Sequence, residues 1–519
     1  MRFAIRFRRN CTPGSILMKL AIATLLVFAA TTANAAESLK YYGFDEASHS
    51  AVAEEGLQEI YSGRLFHQAI PVSTARLLFA AMSGSPKSLG YDPNSPEGKF
   101  YAGGRFPSPP NRTAGADSGF GLGESVFDRN GAQVLNINCF TCHAGVVNGQ
   151  VVAGLGNNHI NQSDPRRVRT RGDNFGPYAV WRLGAQLVDP AGQGMVVGKG
   201  TTELEKLLTE GELPPVDPMP WWLMKYKKMD YWYADSAPDN AASFSMNFTT
   251  SHAEMNADHA DHVKSVAKAL AFARETQSPL YPKSLDAELV QKGADLFHGR
   301  TPPADTKGFM ACKSCHGTYT KKPAQSDLTQ PGSWEVAYNF SHVIRNPKTD
   351  PAYNTTLQRL KPIADHINKL EAYFTAQGTP ELSPHASVPS KEGYVAPPLV
   401  GVWASAPYFH NGSVPTLEAV LNSGIRPEIW ARENRDPQAY DLDKVGMQHR
   451  QLSREEFEKS AAEAAGKSFL SQAAIDYSAI YDTKGFGHGN MGHTFGDNLS
   501  ADERRAVIEF LKSLSGPDM

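Results

Sequence analysis

Cys139-Phe140-Thr141-Cys142-His143 and Cys312-Lys313-Ser314-Cys315-His316 are two copies of one five-residue pattern. Cys-x-x-Cys-His is the attachment pattern of a c-type haem. The two thiols add to the haem vinyl groups, and the adjacent imidazole becomes the proximal iron ligand. A redox Cys-x-x-Cys or half a zinc site would use the thiols but leave a following histidine unexplained in both copies. Two haems also constrain the fold. Each supplies apolar core that side chains otherwise provide, so long irregular loops are expected around them.

The chain has 519 residues, enough for two or three domains with full cores. Lys plus Arg number 51 and Asp plus Glu 54, so no broad basic field argues for nucleic acid or for an anionic membrane surface. Four of the five cysteines are consumed by the two motifs, which leaves Cys11 and no pair for a structural disulfide. Cys11 falls in a segment expected to be removed. From Met18, a basic start leads into an apolar run, Leu20 to Ala30, and ends at Ala33-Asn34-Ala35, a signal-peptidase-like site. Residues 1–35 thus read as a signal peptide, with Met18 as an alternative true start. The expected location is the periplasm or outside the cell. No segment is apolar for long enough to make a stable membrane span.

The expected fold class is mainly α, with two cytochrome c-like haem domains joined to long irregular loops. Residues 36–277 form the N-terminal domain and 278–519 the C-terminal one. A Gly/Pro/Ser-rich loop, 103–123, precedes the first motif. Helical spacing of Val263, Val266, Ala267 and Leu270 predicts a helix near 258–273. An amphipathic helix over 285–297 leads into the second motif, and a helix from Leu499 to Leu511 closes the chain. Ser500 and Glu503 there have the spacing of a capping box. An insertion is expected near 425–485.

His143 and His316 are the proximal ligands that the motifs define. For the sixth position of the second haem, His488, Met491 and His493 compete just before the last helix, and His410 is a further candidate.

The stretch Ala396-Pro397-Pro398 through Trp403-Ala404-Ser405-Ala406-Pro407-Tyr408-Phe409-His410-Asn411-Gly412-Ser413-Val414-Pro415 resembles the signature of the bacterial di-haem cytochrome c peroxidase superfamily. It is most similar to the rubber-oxygenase branch, as is Gly492-His493-x-Phe495-Gly496 before the closing helix. The resemblance covers about 285–515, and 125–165 more loosely. It implies a reactive N-terminal haem, an electron-transfer C-terminal haem and a calcium ion between domains. It also implies His493 as the sixth ligand, because Gly424 stands where the peroxidases carry a ligating methionine. His410 becomes a residue behind the ligands or at the propionates. A bis-His second haem sits at lower potential than a His/Met one.

At the first haem, His159 lies sixteen residues after His143, the spacing of the detachable distal histidine in many such peroxidases. An open or water-bound iron is the alternative. Trp181 stands at the spacing of the inter-haem tryptophan. Trp221, Trp222, Phe244 and Phe248 resemble aromatics that roof the oxygenase haem, and Glu203 and Glu205 are in range as acid–base groups. Three functions follow: peroxide reduction with electrons from a small periplasmic cytochrome c or cupredoxin, dioxygen cleavage of an apolar unsaturated substrate, and electron carriage alone.

Overall fold

In a computed structural model the described residues are 40–73, 106–158, 214–245, 252–465 and 473–516, apart from short breaks within them. The signal segment, His159, Trp181, Glu203, Glu205 and Phe248 lie outside them.

The expectation of a mainly α fold is overturned. The described residues are about 35% helical and 16% strand, with several small sheets, which makes the fold mixed α/β. The physical reason is local. Asn130-Gly131 and Asn148-Gly149 both take left-handed backbone angles, φ 55° and 81°, then 46° and 74°. Asn-Gly is the preferred pair for a two-residue hairpin turn. The first turn joins β3 (Glu124–Arg129) to β4 (Ala132–Ile137). The second joins β5 (Ala144–Val147) to β6 (Gln150–Ala153). Strand β1 (Lys40–Tyr42) adds to β6 in parallel, and β2 (Ile70–Pro71) adds to β4. The first Cys-x-x-Cys-His turn therefore sits between two hairpins.

The helices lie close to where periodicity puts them. Helix α1 (Ala51–Ser62) packs on α2 (His252–Glu275), which encloses the predicted 258–273 segment. Helix α3 (Ala287–His298) is capped by Asp286, whose side chain accepts from Glu288 and Leu289 N–H groups. It packs on α4 (Ala501–Ser513), which opens with the predicted capping box of Ser500 and Glu503. The region expected as an insertion holds a three-stranded antiparallel sheet of β7 (Ile429–Arg432), β8 (His449–Gln451) and β9 (Ile480–Asp482), with β7 in the middle.

Two apolar clusters form the main core. One gathers Leu57, Ile60, Phe140, Phe272 and Trp221 around the first motif. The larger one gathers Phe297, Trp403, Phe510 and Trp222 around the second. Among the described residues no helix is long and apolar enough to cross a membrane.

Candidate haem centres

Each motif folds as one helical turn. Phe140–His143 and Lys313–His316 follow Cys139 and Cys312, and all four cysteines are free of disulfides. Around the first turn, Asn138 accepts from Phe140 N–H at 2.9 Å and donates to the Leu122 carbonyl at 2.9 Å. The preceding loop is gathered by Arg112. Its buried guanidinium donates to the carbonyls of Tyr61, Gly115, Gly121, Leu122 and Glu124. Burial lowers the pKa of that guanidinium to about 10, with Tyr61 and Glu124 pulling the other way.

The His143 ring stacks on Trp221, 4.8 Å between centroids at 25°. Its buried Nδ1 has no hydrogen-bond partner among the described residues. Burial holds His143 down at about 3 and pushes the Cys139 thiol up to about 12, so both are neutral. A thiol pair and a neutral imidazole within one turn fit a covalently attached haem. His159, expected as the second ligand there, is outside the described residues.

The second centre is described on both faces. His316 Nδ1 donates to the Pro397 carbonyl at 2.9 Å, since a carbonyl only accepts. That bond leaves Nε2 as the lone-pair nitrogen, the arrangement a metal-binding histidine uses. Across from it lies His493, with ring centroids 6.2 Å apart. A metal ion held about 2 Å from one nitrogen of each ring would set the centroids about 6 Å apart. The two histidines face a cavity of about 220 Å³ whose wall includes Leu296, Phe309, Val395, Leu399, Phe409 and Leu499. Burial lowers both imidazoles, His493 to about 4. Two neutral imidazoles across an apolar slot, beside free thiols of Cys312 and Cys315, fit a haem.

The competitors are placed elsewhere. Met491 is 57% exposed. His488 is not among the cavity-lining residues, and its ring packs edge-on to Tyr481, 5.1 Å between centroids. His410 lines the cavity, stacked on Tyr394 at 3.9 Å, with Nε2 unpartnered. Arg345, which the sequence did not flag, lines it too, and its buried Nε is also unpartnered. A cation and an imidazole with donors to spare suit the carboxylates of a haem.

Of the aromatics expected over the first haem, Trp221 lies against the proximal imidazole, and Trp222 belongs to the other cluster, its Nε1 donating to the Val400 carbonyl at 2.9 Å. Phe244 stacks on Tyr231. Pro397 and Arg426 are further site residues that sequence reasoning missed. Among the described residues no group of three or more His, Cys or acidic side chains is gathered as a cation site.

This fold and these centres define a c-type haem protein. A family model described as RoxA-like, cytochrome c-like matches residues 393–431, the stretch that supplies the Pro397 carbonyl, His410 and one side of the second cavity. The match supports the rubber-oxygenase-like cytochrome branch, implies a c-type haem with iron, and points to a haem-dependent oxidoreductase. Two proteins of Sinorhizobium fredii are also similar. Uncharacterized protein y4iJ is 27% identical over 272 residues, 44% of this chain and 39% of that one. Uncharacterized protein y4iM is 36% identical over 131 residues, a quarter of each chain. The chain thus spans well under half the length of each.

Proposed function

We propose that this is an exported di-haem oxidoreductase that reduces hydrogen peroxide at its N-terminal centre, with electrons entering through the C-terminal one. The observation that carries the reading is His316 facing His493 across an apolar cavity. When bound, the haems supply redox-active iron for electron exchange and for reduction of an oxygen-derived oxidant.

The side chains divide the work. His316 and His493 would hold the C-terminal haem between them, which would suit electron passage and leave a small oxidant no place there. Pro397 fixes the tautomer of His316. Arg345 and His410, with nitrogens to spare in the cavity wall, would hold the haem carboxylates. Cys139, Cys142 and His143 would hold the other haem, which would supply the iron for reducing the oxidant, with His159 as the candidate displaceable ligand. Trp221 against His143 and Trp222, bonded to the cavity-lining Val400, give neighbouring aromatic steps between the centres. The donor is a small periplasmic cytochrome c or cupredoxin, and a calcium ion between the halves belongs to the same reading.

The match at residues 393–431 favours a second reading, in which the N-terminal centre takes dioxygen and cleaves an apolar unsaturated substrate. Low-temperature EPR and optical spectra of the purified holo-protein test the shared part. One high-spin haem, at rest or after one-electron reduction, is expected beside one low-spin haem. Peroxide turnover with a reduced donor supports the first reading, and a stable dioxygen adduct without peroxide turnover supports the second. Two low-spin haems in both states, inert to carbon monoxide when reduced, would leave an electron carrier.

A further inference from the structure

His493 has a left-handed backbone, φ 45°. A residue with a side chain stays in that region only where its surroundings impose it. On one side the constraint is the 347–349 segment. His493 N–H donates to the Pro347 carbonyl at 2.7 Å. Gly492, at φ 73°, lies so close to Lys348 that a Cβ would come within 2.2 Å of its backbone.

On the other side stands Arg426. A guanidinium has five N–H donors, and Arg426 makes five hydrogen bonds, all to carbonyls. Nε donates to Ala419 at 2.9 Å and Nη2 to Val420 at 3.1 Å, near the end of the short helix Leu417–Leu421. Nη1 donates to Asn490 at 2.8 Å and Gly492 at 2.6 Å, and Nη2 donates to His493 itself at 3.1 Å. The guanidinium also lies over the Phe409 ring at 5.0 Å, and that ring packs on His493 at 5.8 Å. None of these five bonds goes to a carboxylate, so this arginine is arranged to join two backbone segments.

We infer that Arg426 is a positioning residue: it fastens the 490–493 loop to the helix end and so holds the His493 imidazole opposite His316. The inference rests on His493 being an axial ligand of the C-terminal haem. With Arg426 removed, the loop loses three carbonyl bonds and keeps the His493 N–H bond to Pro347 and the Asn490 side-chain bond to the Pro427 carbonyl, and the imidazole is then held less firmly opposite His316. A lysine keeps the charge but offers three donors from one point and cannot span both segments.

The test uses the holo-protein and three variants, Arg426→Gln, Arg426→Lys and His493→Ala. Ferric EPR and optical difference spectra against wild type report spin state, and carbon monoxide binding to the reduced protein reports an open face. His493→Ala is expected to turn one haem fully high-spin. Arg426→Gln should give a high-spin fraction between wild type and His493→Ala, and Arg426→Lys a smaller one. Added imidazole should return both to low spin at unchanged haem content and circular dichroism. A merely structural role would lower stability and leave the spin state alone. If His493→Ala goes high-spin while both Arg426 variants keep the wild-type spectrum and its inertness to carbon monoxide, the positioning role is wrong. If His493→Ala itself changes neither haem, the ligation reading falls and this inference with it. Should Arg426→Gln fail to accumulate, Arg426→Lys decides by the same criteria.

Discussion

His298 spends both ring nitrogens on the backbone. Nδ1 donates to the Ala294 carbonyl at 2.7 Å, and Nε2 accepts from Tyr319 N–H at 3.0 Å. Only the neutral ring can do both. Burial, its main cause, lowers the pKa of this histidine below the usual value. The unfolded chain therefore binds a proton that the folded chain refuses. The stability this provides is fully present above about pH 6.5 and is lost as pH falls below that toward the folded pKa. Urea unfolding between pH 5 and 7.5 should show a decline on acidification of at most about 1.4 kcal/mol per pH unit from this site. The decline should be smaller in His298→Phe, and an equal slope in both proteins would count against it. At this scale the haem-bearing residues were legible because covalent attachment demands fixed local spacing. Arg426, Pro397 and Arg345 were not, since what they supply is a bond to, or from, a backbone carbonyl or a cavity wall, and no residue pattern announces that. The resemblance alone preferred His493 to Met491 in the sequence, and the fold leaves Met491 57% exposed.

The helix pairs show how a single atom sets an element's place. At Gly293 on α3, a Cβ would come 1.9 Å from the Ala506 carbonyl oxygen on α4. At Gly56 on α1, it would come 2.0 Å from the Lys268 carbonyl on α2. Each half thus carries a glycine where its two helices touch. Gly293→Ala would gain about 1 kcal/mol of helix propensity, but overpacking at backbone distance costs about 1–3 kcal/mol or more. The clash wins, and we expect a net loss of about 2 kcal/mol in denaturant unfolding, against near-neutral behaviour of Lys292→Ala on the exposed face. A stability equal to wild type would mean that the helices can slide apart freely. The helices were readable from their 3.6-residue period and from the capping box. The hairpins carry their own signal too, Asn130-Gly131 and Asn148-Gly149, the second between valine pairs, where irregular haem-wrapping loops were expected. The strands of the 429–482 region carry no comparable turn pair and are held instead by long-range contacts such as Arg454 with Asp482 at 2.6 Å.

For the whole molecule, the two adjacent tryptophans matter most. Trp221 packs with Phe140 and Phe272, while Trp222, fully buried, packs in the cluster of the second centre. Val147 and Val152 of the β5–β6 hairpin, with Leu155 just after it, join that second cluster as well. Trp222→Phe keeps most of the ring but leaves the Val400 carbonyl without its donor, a cost of about 1–3 kcal/mol. On the di-haem reading, its unfolding midpoint should fall at the two centres together, followed by their separate optical signatures. Two midpoints that part company would show that the halves melt independently. If they move as one, the second half borrows part of its interior from the first. A cut between residues 277 and 278 would then strand Trp222 on the wrong fragment, so that the two pieces, each with its own haem motif, recover a native interior only on being mixed.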